Sequence, residues 1–243
     1  MSKIYVVGIG PGEYEYLTLE AKKTLEECDV IVGYTVYVDL VKNSFPGKEF
    51  LTTPMKKEVL RCEMAFEEAT KGKTVAMICS GDAGVYGMSG LMLEIGERYP
   101  QIEIENVCGV SAVISGAGLL GAPLIHDFAV ISLSDLLTPW KKIEKRIDGA
   151  ASADFVMCFY NPSSKKRHDY LQKACEIILK HAGPETVCGL AKNIGREDES
   201  CEVLTLGKLK DTQVDMFTTV FIGNSQTKNI NNKMVTPRGY IYE

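Results

Sequence analysis

Short apolar runs alternate with longer amphipathic segments in the first half of the chain. In the first amphipathic segment, Ala21, Leu25 and Cys28 share one helical face, and Thr18 stands where it would cap the helix. This alternation predicts a parallel β-sheet with helices on its faces, and such sheets bind ligands beyond the carboxyl ends of their strands. The predicted strands are residues 4–8, 29–33, 49–52, 74–79 and 102–107.

A second block of strands and helices begins near Phe128. Thr138 and Pro139 are typical of an N-cap followed by the first helical position, and a further helix is expected from about Lys166. We therefore expect an N-terminal α/β domain with a parallel sheet at 1–120, a linker at 121–127 and a C-terminal α/β domain at 128–243. The predicted strands are residues 128–132, 155–160, 186–191, 201–205 and 217–223.

Composition narrows the class of protein. Hydrophobic residues make up 45% of the chain and charged residues 24%, which is ordinary for a soluble globular protein. No apolar run is long enough to span a membrane, and the N-terminus lacks a signal-peptide layout. The net charge of −5 disfavours nucleic acid as a partner. We expect a cytoplasmic protein that binds neither membranes nor nucleic acid.

The eight cysteines are scattered along the chain and form no Cys-x-x-Cys pair. This distribution indicates reduced thiols that pack as small hydrophobic side chains, and it argues against disulfides or a zinc site. We expect no protein-bound metal. Four of the cysteines fall in apolar, strand-like runs: Cys79, Cys108, Cys158 and Cys188.

A glycine-rich corner, Gly8-Ile9-Gly10-Pro11-Gly12, follows the first predicted strand. A dinucleotide fingerprint would need a third glycine where this chain has Glu13, and it would open directly into a helix, which here begins only near Leu19. Pro11 also lacks the backbone donor that a phosphate would require, and Glu13 would repel the phosphate. NAD or FAD binding is therefore disfavoured, and a tight turn without a ligand is the plainer alternative.

Two more corners follow later strands, and the sharper of them contains an acidic residue. It has no lysine to hold a phosphate, so the carboxylate of Asp82 suits hydroxyl or amine groups of a small ligand. The two corners are Ser80-Gly81-Asp82-Ala83-Gly84-Val85-Tyr86 and Gly109-Val110-Ser111-Ala112.

In their order and spacing, the three corners resemble the tetrapyrrole (corrin/porphyrin) methylase family. Motifs of the second half are similar to one branch of that family, the ring-contracting methyltransferases that act on C17 of precorrin-3B or cobalt-factor III in cobalamin biosynthesis. The resemblance covers essentially the whole chain. The second-half motifs are residues 133–140, 159–164, 191–196 and 236–240.

The resemblance implies two α/β domains of a type distinct from the Rossmann-like methyltransferases. It implies S-adenosylmethionine in the cleft between the domains, S-adenosylhomocysteine as a product, and a homodimer. The implied substrate is a polycarboxylate tetrapyrrole, and any cobalt would be carried by that substrate. Methyl transfer from a sulfonium needs alignment and exclusion of water more than a nucleophilic side chain. That requirement agrees with a sequence that has no Gly-x-Ser-x-Gly or His-Glu-x-x-His motif.

The resemblance also assigns residues to the cofactor. Asp135, Tyr160 and Asn161, which lie at or just after strand ends in the second-half motifs, are our candidates for acid/base help in ring contraction. The residues assigned to the cofactor are Gly10, Pro11, Gly81, Asp82, Val85, Ser111, Ala112, Tyr160, Leu190, Ala191, Thr218 and Thr219.

Positive charge is needed locally if an acidic protein binds a polycarboxylate, and arginine suits bidentate carboxylate binding. Ser134, Lys192, Arg196 and Arg238 are assigned to the substrate, and the run 165–167 adds three cations. We expect these cations to line one cleft mouth, although the run 165–167 could also be a solvated helix start.

Plainer structural roles are open for several of these residues. Asp135 could cap a turn, and Asn161 could belong to a turn that leads into the next helix. Trp140 is expected to be core rather than a platform for the macrocycle, and His126 a hydrogen-bonded linker residue.

Two other functions also remain open. The chain could be a methylase of the same family that acts at another tetrapyrrole position or on ribosomal RNA, although the second-half motifs and the net charge argue against this. Alternatively, it could be a non-catalytic module that binds adenosine compounds.

Overall fold

The structure is a computed structural model that describes residues 2–164 and 167–241. The chain forms two compact units, which divide between Ala112 and Val113. The predicted linker at 121–127 falls within the second unit, where Gly121–Ala122 form a short strand. Among the described residues, no helix is long and apolar enough to cross a membrane.

The described residues of the first unit form five strands and four α-helices. The strands are β1 (Lys3–Gly8), β2 (Val30–Tyr34), β3 (Glu49–Thr53), β4 (Val75–Cys79) and β5 (Glu103–Val107). The helices are α1 (Leu19–Glu27), α2 (Thr35–Val41), α3 (Glu58–Thr70) and α4 (Ser89–Gly96). The strands form one parallel sheet in the order β3-β2-β4-β1-β5. The predicted strands and their parallel arrangement are confirmed.

Helix α1 shows how the sequence sets the local structure. Thr18 is its N-cap, and its Oγ1 accepts a hydrogen bond of 3.1 Å from the Ala21 N–H, as predicted. The same hydroxyl donates to the carbonyl of Cys108 at 3.2 Å. Ala21 and Leu25 are fully buried against the sheet. The start of α1 is therefore tied directly to the corner that follows β5.

The second unit is a mixed α/β structure. Its helices are α5 (Ala112–Leu120, which begins at the last residue of the first unit), α6 (Trp140–Ser152), α7 (Tyr170–Ile178) and α8 (Leu206–Lys210). Its strands are β6 (Gly121–Ala122), β7 (Phe128–Ser132), β8 (Val156–Tyr160), β9 (Val187–Lys192), β10 (Ser200–Thr205), β11 (Thr218–Ile222), β12 (Lys228–Ile230) and β13 (Lys233–Val235).

The main sheet of this unit has the order β10-β9-β11-β8-β7. β7 and β8 are parallel, and the other neighbours are antiparallel. This pattern places the ends of β7, β8 and β9 and the start of β11 along one edge, which we call the functional edge of the second unit. The five predicted strands are confirmed. Sequence analysis missed the small sheet β12-β13-β6, whose strands have only two or three residues.

Two predicted helix starts are wrong. Pro139 is the N-cap of α6 and not its first helical residue, because its backbone is still extended with ψ of 138°. The helix expected from about Lys166 begins at Tyr170, after a polar turn at His168 and Asp169. Lys165 and Lys166 themselves lie outside the described residues.

The eight cysteines are all free, and six are buried. Burial raises the pKa of the Cys79 thiol to about 12, and it also raises the pKa values of Cys158 and Cys188. Cys108 contradicts the expectation, because β5 ends at Val107 and leaves the thiol exposed at the start of the glycine corner.

Candidate functional site

Three glycine corners of the first unit meet at the carboxyl ends of neighbouring strands. Gly10 and Gly81 form an antiparallel bridge, in which the Gly10 N–H donates to the Gly81 carbonyl at 3.1 Å and the reciprocal bond is 2.6 Å. Their φ angles are +75° and +69°, a region that favours glycine. The corners after β1 and β4 are thus joined backbone to backbone.

The third corner comes equally close. A Cβ atom on Gly8 would lie 2.6 Å from the nitrogen of Gly109, and a Cβ atom on Gly109 would collide with the carbonyl oxygen of Gly81. No side chain fits at either position. Next to Gly8 and Gly109, a ligand bound at this edge would therefore meet peptide groups.

The carboxylate of Asp82 links two of the corners by hydrogen bonds. Its Oδ1 accepts a hydrogen bond of 2.8 Å from the Gly84 N–H, and its Oδ2 accepts one of 3.0 Å from the Gly109 N–H. The side chain is half-buried. A carboxylate has about four lone-pair positions, so each oxygen can still accept a bond from a ligand hydroxyl or amine. The contacts thus fit both a structural role and the predicted ligand role.

The other residues predicted for the cofactor in the first unit lie on the same three corners. Pro11 is buried beside Gly10, and Val85 is 38% exposed in the loop after β4. Ser111 is buried and Ala112 half-buried, and both belong to the third corner. The first unit therefore brings its predicted cofactor residues to one edge of its sheet.

In the second unit, Tyr160 ends β8 and contacts helix α5. Its phenol oxygen accepts a hydrogen bond of 2.8 Å from the Val113 N–H. Helix α5 packs closely on this face of the sheet, because a Cβ atom on Gly116 would lie 3.1 Å from the ring of Phe221. Tyr160 therefore satisfies one of the free N–H groups at the start of the helix.

The residues that were predicted to line the cofactor in the second unit divide between two faces of the sheet. Side chains alternate along a strand, and Ala191 pairs with Thr219 while Leu190 pairs with Val220. Ala191 and Thr219 thus share the face of Tyr160 and α5. Leu190 belongs to the core on the opposite face, and Thr218 points to that side as well. The side chains of Leu190 and Ala191 are not brought together.

Lys192 lies at the end of β9 and forms an ion pair with Asp215. The two atoms, Nζ and Oδ2, are 2.9 Å apart, and this contact raises the pKa of Lys192. Asp215 is held in turn by the Phe217 N–H at 2.9 Å and the Thr218 hydroxyl at 3.0 Å. The pair lines an open cavity of about 420 Å³ on the functional edge, together with Leu190, Ser200, Cys201, Glu202, Gln213, Val214 and Thr218.

The other predicted cations differ in their surroundings. The guanidinium of Arg196 lies over the ring of Phe217, with 5.3 Å between Cζ and the ring centre. Arg238 is exposed. The side chain of Arg167 is only 15% exposed, so it is not part of a solvated helix start.

Asp135 is held in a network at the ends of β7 and β8. Its Oδ2 accepts a hydrogen bond of 2.6 Å from the Tyr170 hydroxyl, and Arg167 Nη1 donates to its Oδ1 at 3.2 Å. The same nitrogen donates to Ser134 Oγ at 2.7 Å. The bonds from Tyr170 and Arg167 lower the pKa of Asp135, and the carboxylate raises the pKa of Tyr170. Asp135 is therefore an anion at neutral pH and has no proton to donate.

Trp140 packs against Tyr170, a member of this network. Its ring centre lies 4.3 Å from that of Tyr170, and its Nε1 donates to Glu144 at 2.7 Å. It packs against the hydrophobic core of the second unit, as expected.

Asn161 and His126 show the local roles that were weighed as alternatives. Asn161 has a φ of +53°, and its amide donates to Ser132 Oγ at 3.0 Å, which ties β8 to β7. His126 Nδ1 accepts a hydrogen bond of 3.0 Å from the Asp127 N–H. In residues 2–164 and 167–241, no group of three or more His, Cys, Asp or Glu side chains could hold a metal ion.

Sequence analysis missed Tyr170 and Asp215. Tyr170 was overlooked because the helix was placed four residues too early, although its position after β8 was a usable signal. Asp215 lies in a polar loop with no motif, three residues before β11.

A family model for Tetrapyrrole (Corrin/Porphyrin) Methylases matches residues 3–210. The chain belongs to the tetrapyrrole methylase family. Within this family, the chain is 45% identical over 236 residues to the probable cobalt-factor III C(17)-methyltransferase of Salmonella typhimurium. That match covers 97% of this chain and 98% of the relative. It is also 44% identical over 243 residues to the cobalt-factor III methyltransferase of Priestia megaterium. That match covers 98% of this chain but only 45% of the longer relative.

Solved structures of tetrapyrrole methylases share the fold. The crystal structure of the methyltransferase CobJ matches with a TM-score of 0.89 and 33% identity, covering 98% of this chain and 100% of that one. Uroporphyrin-III C-methyl transferase from Thermus thermophilus, complexed with S-adenosylhomocysteine, matches with a TM-score of 0.72 and 19% identity over 91% of this chain and 97% of that one. The second likeness concerns the fold alone.

Proposed function

We propose that the protein is an S-adenosylmethionine-dependent methyltransferase that methylates C17 of cobalt-factor III or cobalt-precorrin-3, with contraction of the macrocycle, in cobalamin biosynthesis. The observation that carries the proposal is the 45% identity to the Salmonella relative over nearly the full length of both chains. The chain spans about half of the longer Priestia relative, so activities of the remainder of that protein are not included.

The three corners of the first unit supply the proposed contacts to the cofactor. When bound, S-adenosylmethionine would supply an electrophilic methyl group on a sulfonium, which needs alignment more than activation. The second lone pairs of the Gly10 and Gly81 carbonyls and the unused lone pairs of Asp82 fit the hydroxyl and amine groups of such a molecule. Pro11, Val85, Ser111 and Ala112 are proposed to line it.

In the second unit, Tyr160, Ala191 and Thr219 are the better supported of the proposed cofactor residues, because they share one face. Leu190 and Thr218 belong to the other face, so any contact they make would use backbone atoms.

The functional edge of the second unit is proposed to meet the substrate. Lys192, Arg196 and Arg238 would pair with carboxylate arms, and Arg167 holds Ser134 in place. Asp135, Tyr160 and Asn161 remain the candidates for help in ring contraction. Their contacts favour holding the strand-end loops in position, and the lowered pKa of Asp135 keeps it an anion, which makes it a weak base and unable to donate a proton at neutral pH. A homodimer in the cytoplasm, acting on a small molecule without membrane or nucleic acid, is part of the proposal.

The test uses the full chain, cobalt-factor III and S-adenosylmethionine carrying a ¹³C-labelled methyl group. Mass spectrometry is expected to show one labelled methyl per macrocycle, and ¹³C NMR to place it at C17 of a contracted ring. A labelled methyl at another carbon would refute the C17 assignment and leave a different tetrapyrrole methylase. Cofactor binding by calorimetry without transfer to any tetrapyrrole would instead support an adenosine-binding module.

A further inference from the structure

Arg61, on α3, is a buried cation whose contacts are all to neutral groups. It is 4% exposed. Its Nε donates to Thr53 Oγ1 at 2.9 Å, its Nη2 donates to the Pro54 carbonyl at 3.2 Å, and its Nη1 lies 3.9 Å from Met88 Sδ. Within the described ranges, no carboxylate lies within 4.0 Å of this guanidinium.

Two of the other five arginines are paired with a carboxylate in the described part of the chain. Arg98 lies 3.7 Å from Glu63, and Arg167 lies 3.2 Å from Asp135. A guanidinium remains charged in proteins, and burying a charge without a counter-charge is costly. It also carries five N–H donors, of which two make good hydrogen bonds here and one meets only a weak sulfur acceptor. Arg61 therefore retains both a charge and N–H donors that residues 2–164 and 167–241 do not satisfy.

A second polar group, on the residue that follows Met88 in the chain, is also unsatisfied among the described residues. This residue, Ser89, is 5% exposed. Its Oγ is buried and has no hydrogen-bond partner among the residues that the structure describes. Arg61 and Ser89 are thus both buried and both lack hydrogen-bond partners for some of their polar atoms. Ser89 follows Met88, the residue that Arg61 contacts. Together they indicate a place for a polar ligand.

The position of Arg61 fits a ligand site. Thr53 is the last residue of β3, and Tyr34, whose ring centre lies 5.8 Å from the Arg61 Cζ, is the last residue of β2. Met88 belongs to the loop between β4 and α4. The guanidinium thus lies at the carboxyl ends of three adjacent parallel strands, the edge at which such sheets bind ligands.

The segment that precedes Arg61 is exposed and carries apolar and charged side chains. Met55 is 45% exposed, Val59 51% and Leu60 47%, and Lys56, Lys57 and Glu58 are exposed between them in the chain. The two lysines outnumber the one carboxylate, so the segment has a net positive charge. Large apolar side chains so exposed, next to cations, suit a flat macrocycle that carries carboxylate arms. Access needs only a small movement, because Pro54 is exposed, Tyr34 and Met88 are half-buried, and methionine is flexible.

We propose that Arg61 binds one carboxylate arm of the tetrapyrrole at the ends of β2, β3 and β4. In the free protein, Met88 Sδ occupies the position that a carboxylate oxygen of the ligand would take. The inference rests on the proposed function for the nature of the ligand. Arg61 would then decide how the macrocycle is oriented, whereas the cofactor corners lie at the ends of β1, β4 and β5.

The first test measures binding of cobalt-factor III and of S-adenosylmethionine to the wild-type protein and to R61K, R61Q and R98K. Loss of a charge-assisted, bidentate pair is expected to raise the macrocycle Kd at least about tenfold in R61K and more in R61Q. The cofactor Kd should not change. R98K is the matched control, since Arg98 is exposed and already paired, and it should bind both ligands as the wild type does.

A second pair of variants covers the case in which Arg61 variants do not fold. M88E would give the guanidinium an internal carboxylate, and M88Q is its neutral counterpart. We expect M88E to have the higher melting temperature of the two and the weaker affinity for the macrocycle. Equal macrocycle affinities of M88E and M88Q, or of wild type and folded R61K, would overturn the inference. A wild-type protein that binds no tetrapyrrole would instead refute the proposed function, and the Arg61 site would fall with it.

Discussion

The phenol oxygen of Tyr160, the last residue of β8, accepts a hydrogen bond of 2.8 Å from the backbone N–H of Val113, near the start of α5. The bond joins a strand end to a helix start within the second unit. Val113 is 5% exposed, so water cannot easily replace the phenol.

Tyr160→Phe is therefore expected to lower the free energy of unfolding by about 1 kcal/mol, since a buried N–H loses its acceptor. Urea unfolding followed by circular dichroism measures this difference. Tyr240→Phe is the control, because Tyr240 is 81% exposed, and it should leave the stability unchanged. Equal stabilities of the Tyr160 variant and the wild type would contradict the role given to this bond.

Asp82→Asn should weaken binding of S-adenosylmethionine. An amide has one acceptor oxygen where the carboxylate offers two, so its NH₂ group would face the N–H of Gly84 or of Gly109. Loss of a charge-assisted bond to the ligand and distortion of the corner together should raise the Kd by roughly tenfold to a hundredfold.

Calorimetry measures that Kd, and Asp39→Asn serves as the control, because Asp39 pairs with Lys42 on the surface of the same unit. An unchanged Kd in the Asp82 variant would mean that this carboxylate does not face the cofactor.

Asp135 should make the stability depend on pH. Its pKa is lower in the folded protein than the ordinary value of about 3.9, so its network stabilises the fold above that value. This contribution should disappear as the pH falls through the folded pKa. The stability difference between wild type and Asp135→Asn is thus expected to be largest near neutral pH and to shrink towards pH 3.

Urea unfolding at a series of pH values measures this difference. Asp127→Asn, at a side chain that is 79% exposed, is the control and should show little dependence. A difference that stays constant from pH 7 to pH 3 would show that Asp135 is not held as an anion by Tyr170 and Arg167.

Gly109→Ala should disrupt the corners of the first unit. Its Cβ atom would collide with the Gly81 carbonyl, a backbone atom that cannot turn aside. Gly90→Ala is the matched control in the same unit, because a Cβ atom there meets nothing within 4 Å and alanine favours a helix by about 1 kcal/mol. Thermal unfolding should therefore give a lower melting temperature for the first variant and an unchanged or higher one for the second; the reverse order would refute the close packing.

Much of the fold could be predicted because its strands are buried runs bounded by glycine or polar residues. Val75–Cys79 is buried at every position, and Gly81 ends the run two residues later. The strand Lys228–Ile230 is exposed throughout and carries no such signal. The start of α7 was misplaced because a polar turn has no apolar periodicity to mark it.

The candidate site was only partly predictable. The corners could be located because glycine is required where backbones touch. The role of Arg61 could not be predicted, because its position in an amphipathic helix is ordinary and only the fold brings it to Thr53 and Met88. The separation of Leu190 from Ala191 needed no structure, because consecutive strand residues face opposite sides.

The contact between Gly8, Gly81 and Gly109 has a consequence for how this protein can vary. An edge built from main-chain atoms presents the same donors and acceptors whatever the neighbouring side chains become. Recognition there tolerates most substitutions and depends on the glycines and on Asp82, whose carboxylate holds Gly84 and Gly109. New ligand specificity would have to arise in the surrounding loops, while the main-chain edge itself stays constant.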